Sequence, residues 1–437
     1  MSATPERVRP EAIRRLLDDL DDADDGRRRR VLDDFWAVVR RSGTPLIERA
    51  PDGDRYDVTF LHRSADDASP VLAMNGLPRD RPADAAMTRI PGTDVNYAGY
   101  RLPPDQQSTY RIAATATTTT PSNGDDWRRL MMNAQPDPLN PATLPGRWDQ
   151  PASSLLRLPD APRSVDLEAD HQVPDASRGR LEVRTMPSRA LLADRDVWCY
   201  RPAGDHDQPL SLLVLCDGDR WFGDLGLQRA LDQMIMNGSL PPLAVLAPDS
   251  VDLDTRWHDL AGSDSFLTFL AEEMIRQSPL PVSDDPARTV IAGQSLGGLT
   301  ALYAALRRPD RFGVVLGQSV SLWWRPGLPP GRPQAPEDGS CWVADQFAAA
   351  DRLPTEVALQ VGRLEGDMVG WSSDLADTLR ARGVPTSRTV YSGGHDYAWW
   401  IGGMLEGLGR LLTQTSTGHE LFTPTSHRRR PDQAGPP

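Results

Sequence analysis

The sequence predicts an α/β protein: a mostly parallel sheet covered by helices, preceded by a smaller β-sandwich. Three observations predict it. From about residue 180, apolar runs of strand length alternate with segments of helical spacing, the pattern of a parallel sheet buried on both faces. Between residues 54 and 115 the apolar period is two, with turn residues between the runs, as in a small sandwich. And Thr289-Val290-Ile291-Ala292 runs into Gly293-Gln294-Ser295-Leu296-Gly297 and then an apolar helix, the form of a nucleophile elbow. The 437 residues exceed what one core usually fills, which agrees with two domains.

Composition narrows the class. The net charge of −13 argues against nonspecific binding to nucleic acid or an anionic membrane. All 48 basic residues are arginine, so arginine alone marks no site. Cys199, Cys216 and Cys341 are odd in number and far apart, which is neither a disulfide framework nor a zinc pattern and points to a reducing cytoplasm. The first ten residues lack an apolar signal region, and no run has transmembrane length. No resident metal or other cofactor is expected.

In chain order, residues 1–9 are expected to be disordered. Ile13, Leu16, Leu17 and Leu20, then Val31, Leu32, Phe35, Trp36 and Val39, have helical spacing. Arg27 to Arg30, among many Asp, read as a solvated face rather than a nucleic-acid patch. Short strands are expected at 56–61, 70–74, 95–102 and 109–113. Residues 121–126 form a polar break, and the Pro-rich stretch to about 177 reads as a surface linker. The second domain, 178–413, carries strands at 181–185, 196–200, 210–215, 243–246, 289–292, 314–316, 357–361 and 387–391. Helices are expected at 226–236, 265–277, 298–307, 372–382 and 399–412. Residues 414–437 read as a disordered tail.

A serine nucleophile needs a base, an orienting acid and an oxyanion hole, and an α/β-hydrolase presents them in the order Ser, acid, His at strand ends. Three histidines follow Ser295. His419 and His427 lie in the tail, so His395, in the Gly-rich loop after the last strand, is the expected base. Glu365 and Asp367 both qualify by position as the acid. Asp396 reads as a helix cap. The Leu296 N–H and an amide from the loop at Gly218 and Asp219 are the expected oxyanion donors.

With those residues assembled, the sequence resembles the enterochelin esterase family of ferric siderophore hydrolases. Asp217-Gly218-Asp219-Arg220-Trp221, Gly293-Gln294-Ser295-Leu296-Gly297-Gly298-Leu299, Gln318-Ser319-Val320-Ser321-Leu322-Trp323-Trp324 and Gly393-Gly394-His395-Asp396 match its catalytic motifs, with Val320 in place of a glycine. Gly43-Thr44-Pro45-Leu46, Tyr56-Asp57-Val58-Thr59-Phe60 and Asp137-Pro138-Leu139-Asn140 match its N-terminal half. The resemblance implies an immunoglobulin-like sandwich over residues 1–177, with the helix and linker, and favours Glu365 as the acid. It implies hydrolysis of a ferric siderophore in the cytoplasm, with iron entering only as part of that small-molecule substrate. A tris-catecholate iron(III) complex is a trianion, so cations are needed locally. Arg220 and Arg256 are candidates, and Trp221, Trp323 and Trp324 could stack on catechol rings. Arg256 reads equally as a structural ion pair, and the tryptophans equally as core. Competing readings are an esterase or thioesterase acting on another siderophore or nonribosomal peptide, and a non-catalytic siderophore-binding protein. The oligomeric state is open.

Overall fold

The structure, a computed structural model, describes residues 5–64, 70–77, 82–114, 129–130, 132–162, 173–331, 334–336 and 339–414. The expected break at 121–126 and the tail beyond 414, with His419 and His427, lie outside the described residues.

Two helices open the chain. Glu11–Leu20 buries Ile13, Leu16 and Leu20. Asp25–Ser42 is capped by the Asp24 carboxylate, which accepts from Arg27 N, and buries Trp36 and Val39. Both pack on Leu61, Val95 and Tyr97 of the first sheet. That sheet contains β1 (Glu6–Arg7), β2 (Leu46–Arg49), β3 (Tyr56–Arg63), β5 (Thr88–Arg89) and β6 (Val95–Leu102). Its order is β1-β6-β3-β2, with β5 also on β6. Residues 6 and 7 are therefore strand rather than disorder: Glu6 and Arg7 face Arg101 and Tyr100 of β6. The facing sheet is β4 (Val71–Met74), β7 (Gln107–Ala113), β9 (Ser153–Arg157) and β8 (Thr143–Leu144). Phe60, Tyr100, Tyr110, Ile112 and Leu156 fill the core the two sheets share. The Pro-rich stretch is thus more than a linker. β8 and β9 lie within it, and β9 completes the second sheet by pairing with β7.

The second unit is one eight-stranded sheet: β10 (Arg180–Ser188), β11 (Ala193–Arg201), β12 (Ser211–Leu215), β13 (Leu243–Pro248), β14 (Thr289–Gln294), β15 (Val314–Gln318), β16 (Glu356–Gly362) and β17 (Thr386–Tyr391). The order is β10-β11-β13-β12-β14-β15-β16-β17. β11 is antiparallel to both of its neighbours, β10 and β13, and β12 to β17 form a parallel set. Alternate strand residues feed two cores. Ile291, Val315 and Leu359 face the helix Leu296–Arg307. Val290, Ala292, Val314, Leu316 and Ala358 face the helices Leu227–Met236 and Tyr397–Gln414. Helices also form at Leu253–Leu260 and Trp342–Ala349, where no helix was expected.

On the second face a row of buried amides crosses the strands in register: Gln294 of β14, Gln318 of β15 and Gln360 of β16. Trp221 Nε1 donates to Gln294 Oε1 at 2.9 Å, Gln294 Nε2 to Gln318 Oε1 at 2.9 Å, and Gln318 Nε2 to Gln360 Oε1 at 2.7 Å. Gln318 Nε2 also reaches Trp400 O, and Gln360 Nε2 reaches Gly403 O. Gly403 is tied to this contact, since a Cβ there would lie 2.7 Å from Gln360 Oε1. Replacing Gln318 with Leu strands partners on both sides. We expect a loss of about 2–4 kcal/mol, read as a lower urea midpoint at unchanged slope.

Candidate active site

The strand β14 delivers Ser295 at φ 58°, ψ −119°, a strained backbone for a non-glycine residue. Main-chain bonds hold it there: Ser295 N donates to Gln318 O at 3.0 Å, and Ser321 N to Ser295 O at 3.1 Å. The turn leaves no space before it, since a Cβ on Gly293 would lie 2.4 Å from Gly297 C. Ser295 Oγ stands 3.3 Å from Ser321 Oγ. Leu296 is the first residue of the following helix, so its N–H has no acceptor one turn earlier.

Glu365 and His395 meet beyond the ends of β16 and β17. Glu365 Oε2 lies 2.8 Å from His395 Nδ1. Its other oxygen, Oε1, accepts from Ser319 Oγ and from Gly362 N, both at 2.6 Å. Ser319 Oγ in turn accepts from Trp400 Nε1 at 2.7 Å. The Trp400 ring also meets His395 edge to face, 4.8 Å between centroids at 82°. The Glu365 side chain is 1% exposed and the imidazole 38%, so the carboxylate is sealed below a ring that reaches solvent. Asp367, the alternative acid, is exposed in the first turn of the helix Asp367–Ala381. Asp396 caps the last helix through Ala398 N, as expected, and also accepts from Thr109.

The loop after β12 places Asp217 at φ 66° and continues into a π-helical turn, Asp219–Asp224. Gly218 is required at its start, since a Cβ there would lie 2.3 Å from Ala247 O. Beneath the loop is a buried charge cluster. Arg256 makes a two-pronged pair with Asp217, at 2.6 and 2.8 Å. Arg147 Nη2 adds bonds to Asp217 and Asp219, and Ser250 Oγ bonds both carboxylates. Burial alone would raise the Asp217 pKa. The charges of Arg256 and Arg147, with hydrogen bonds from Arg256 and Ser250, outweigh it and hold the carboxyl well below the usual range.

These contacts correct several expected binding roles. Arg256 is committed to Asp217 and offers no free charge to a ligand. Arg220 is buried, with Nη1 on Gly146 O and Asp224 and its guanidinium 4.7 Å from the centre of the Tyr397 ring. Trp221 is fully buried on Gln294, and Trp324 is buried edge-on to Trp342. Trp323 differs. It is half-buried and stacks on half-buried Trp257, 5.9 Å between centroids. Sequence reasoning gave no role to Ser319, Ser321, Trp400 or Arg147. The first two lie inside the quoted Gln318–Trp324 motif, which was the available signal; Trp400 and Arg147 carry none. Among the described residues, no group of three or more His, Cys, Asp or Glu is arranged to hold a metal, and no helix is long and apolar enough to cross a membrane.

Comparison with known proteins agrees over both units. Residues 188–411 match the family described as putative esterase, and residues 57–167 match the N-terminal family of enterochelin esterase. The iron(III) salmochelin esterase of Escherichia coli O6:H1 is 32% identical over 87% of this chain and 93% of its own. The iron(III) enterobactin esterase of Dickeya dadantii is 33% identical over 87% and 92%. The crystal structure of the ferric enterobactin esterase from Salmonella typhimurium superposes with TM-score 0.75 at 29% identity, covering 87% of this chain and 99% of that one. Fold and comparisons define a carboxylic ester hydrolase with an α/β catalytic unit. The chain belongs to the enterochelin esterase family.

The charge cluster makes two expectations. Arg256→Ala leaves Asp217 short of its main partner and should cost about 3 kcal/mol of stability, measured by urea unfolding. The folded Asp217 pKa lies below the unfolded value of about 3.9, so its contribution is present above that pH and lost as pH falls through the folded value. The stability gap between wild type and Asp217→Asn should therefore be largest at neutral pH and narrow below about pH 4.

Proposed function

We propose that the chain is a serine esterase that hydrolyses ester bonds in a ferric siderophore, a catecholate trilactone of the enterobactin type, and so releases iron in the cytoplasm. The observation that carries the mechanism is the Glu365–His395 pair. Two donors occupy Glu365 Oε1 and leave Oε2 for His395 Nδ1, which fixes the tautomer with a basic Nε2. His395 Nε2 takes the Ser295 proton as Ser295 Oγ attacks the ester carbonyl. The oxyanion accepts from Leu296 N–H and from an amide at Gly218 or Asp219. Its collapse breaks the C–O bond, and His395 returns the proton to the leaving alkoxide. Water, activated by His395, then cleaves the acyl-serine.

The substrate reading is supported by the relatives. An enterobactin esterase from Shigella flexneri, solved in the presence of enterobactin, matches with TM-score 0.72 at 27% identity over 87% of this chain. The resemblance extends through the N-terminal half, read here as an immunoglobulin-like sandwich over residues 1–177, and is not confined to the elbow. Stacked Trp257 and Trp323, both half-buried, offer an aromatic surface for a catechol ring. Iron is cargo in this reaction, and the chemistry needs no resident metal.

Two assays test this. A fluorophosphonate probe should label wild type and leave Ser295→Ala unlabelled; equal labelling removes Ser295 from the mechanism. In a panel of ferric and iron-free siderophores followed by mass spectrometry, trilactones should open to linear products. Turnover of simple aryl esters alone would end the siderophore assignment while sparing the serine mechanism.

A further inference from the structure

His395 sits in Ser392-Gly393-Gly394-His395-Asp396, a loop with two adjacent glycines and so little stiffness of its own. A general base must nonetheless be held to a fraction of an ångström. Its own unit contributes Glu365 and the Trp400 ring on the imidazole, Trp399 Nε1 on Gly394 O at 2.6 Å, Leu364 N on Gly393 O at 2.9 Å, and Ala398 N on the Asp396 carboxylate. Further bonds come from the N-terminal sandwich. Gln107 N, at the start of β7, donates to Ser392 O at 3.0 Å. Asn75 Nδ2, just past β4, donates to the main-chain oxygen of His395 itself at 2.8 Å. Thr109 of β7 gives Asp396 its N–H at 2.5 Å and its hydroxyl at 3.0 Å.

The glycines record the same approach. A Cβ on Gly393 would lie 2.8 Å from Gln107 O, and one on Gly394 would lie 2.9 Å from Gly76 N. They admit the backbone of a distant part of the chain. A second clasp holds the loop after β12. Arg147 binds Asp217, Asp219 and Ser250, and Gly146 O accepts from Arg220. The N-terminal half therefore grips the catalytic unit at two loops, those of the proposed base and the proposed oxyanion amides.

We propose that the N-terminal sandwich is a positioning part of the catalytic machinery, with Asn75 and Thr109 setting the His395 loop from a separate sheet. This rests on the reading of His395 as the base. A generic interface needs packing but no bonds to residues 392, 395 and 396 in succession. A sandwich that served only to dock substrate would not need to bond the main chain of the base.

The test uses the full chain with two substrates, a small p-nitrophenyl ester and a ferric catecholate trilactone. Asn75→Ala and Thr109→Val should lower kcat on both by about tenfold or more, with KM changed less than about twofold. Fluorophosphonate labelling should slow by the same factor, and Thr109→Ser should recover most of it. Asn75→Ser, smaller and still polar, replaces Asn75→Ala if that protein does not fold. Unchanged kcat and labelling, or a loss confined to KM for the siderophore, overturns the proposal. His395→Ala separates the two readings. If it is inactive while the clasp variants match wild type, only the clasp fails. If it labels normally, the assignment of the base fails and the clasp with it.

Discussion

Three buried glutamines hold the candidate site in register. Gln294, Gln318 and Gln360 join β14, β15 and β16 side chain to side chain. The row ends on Trp221 of the Asp219–Asp224 turn on one side and on the last helix at Trp400 and Gly403 on the other. Each member directly precedes a site feature or lies within a few residues of one: Ser295, Ser319 and Glu365. A buried amide left unpaired costs about 1–3 kcal/mol, so the row is stable only when every member is placed. The strand ends, and the strained Ser295 backbone above them, inherit that constraint.

Electrostatics divides the same region into two roles. The Asp217–Arg256–Arg147 cluster is buried, and its charges are spent on one another. It shapes the loop after β12. The Glu365–His395 pair is graded instead, with the acid sealed and the imidazole exposed. Trp400 joins the pair through one ring, which donates to Ser319 and packs on His395. One helix thereby touches Ser319, which supports Glu365, as well as His395 and the glutamine row.

The parallel sheet and elbow were legible because their signals are local. Apolar strand runs and the Gly-x-Ser-x-Gly turn depend on residues close in sequence, and the strand expectations fell within a residue or two of most observed strands. β8 and β9 were not legible, because a short strand in a Pro-rich stretch has no period to read: β9 forms by pairing with β7, and β8 by pairing with β9. The fates of Arg220, Arg256, Trp221 and Trp324 turned on partners absent from their local sequence. Asp217 is 39 residues from Arg256, and Gln294 is 73 from Trp221. Position alone left Glu365 and Asp367 level as acids; family resemblance favoured Glu365, the one that meets His395. The Asn75 and Thr109 contacts span 320 and 287 residues, beyond any local pattern.

The central claim is covalent chemistry at Ser295 on a siderophore ester, tested most directly by trapping the acyl-enzyme. Attack on a macrocyclic trilactone opens the ring without losing a fragment. A rapid acid quench followed by peptide mass spectrometry should therefore find the peptide containing Ser295 heavier by the mass of the whole iron-free siderophore. The adduct should be absent from Ser295→Ala. Turnover of the trilactone without any adduct, and undiminished in Ser295→Ala, would contradict the account.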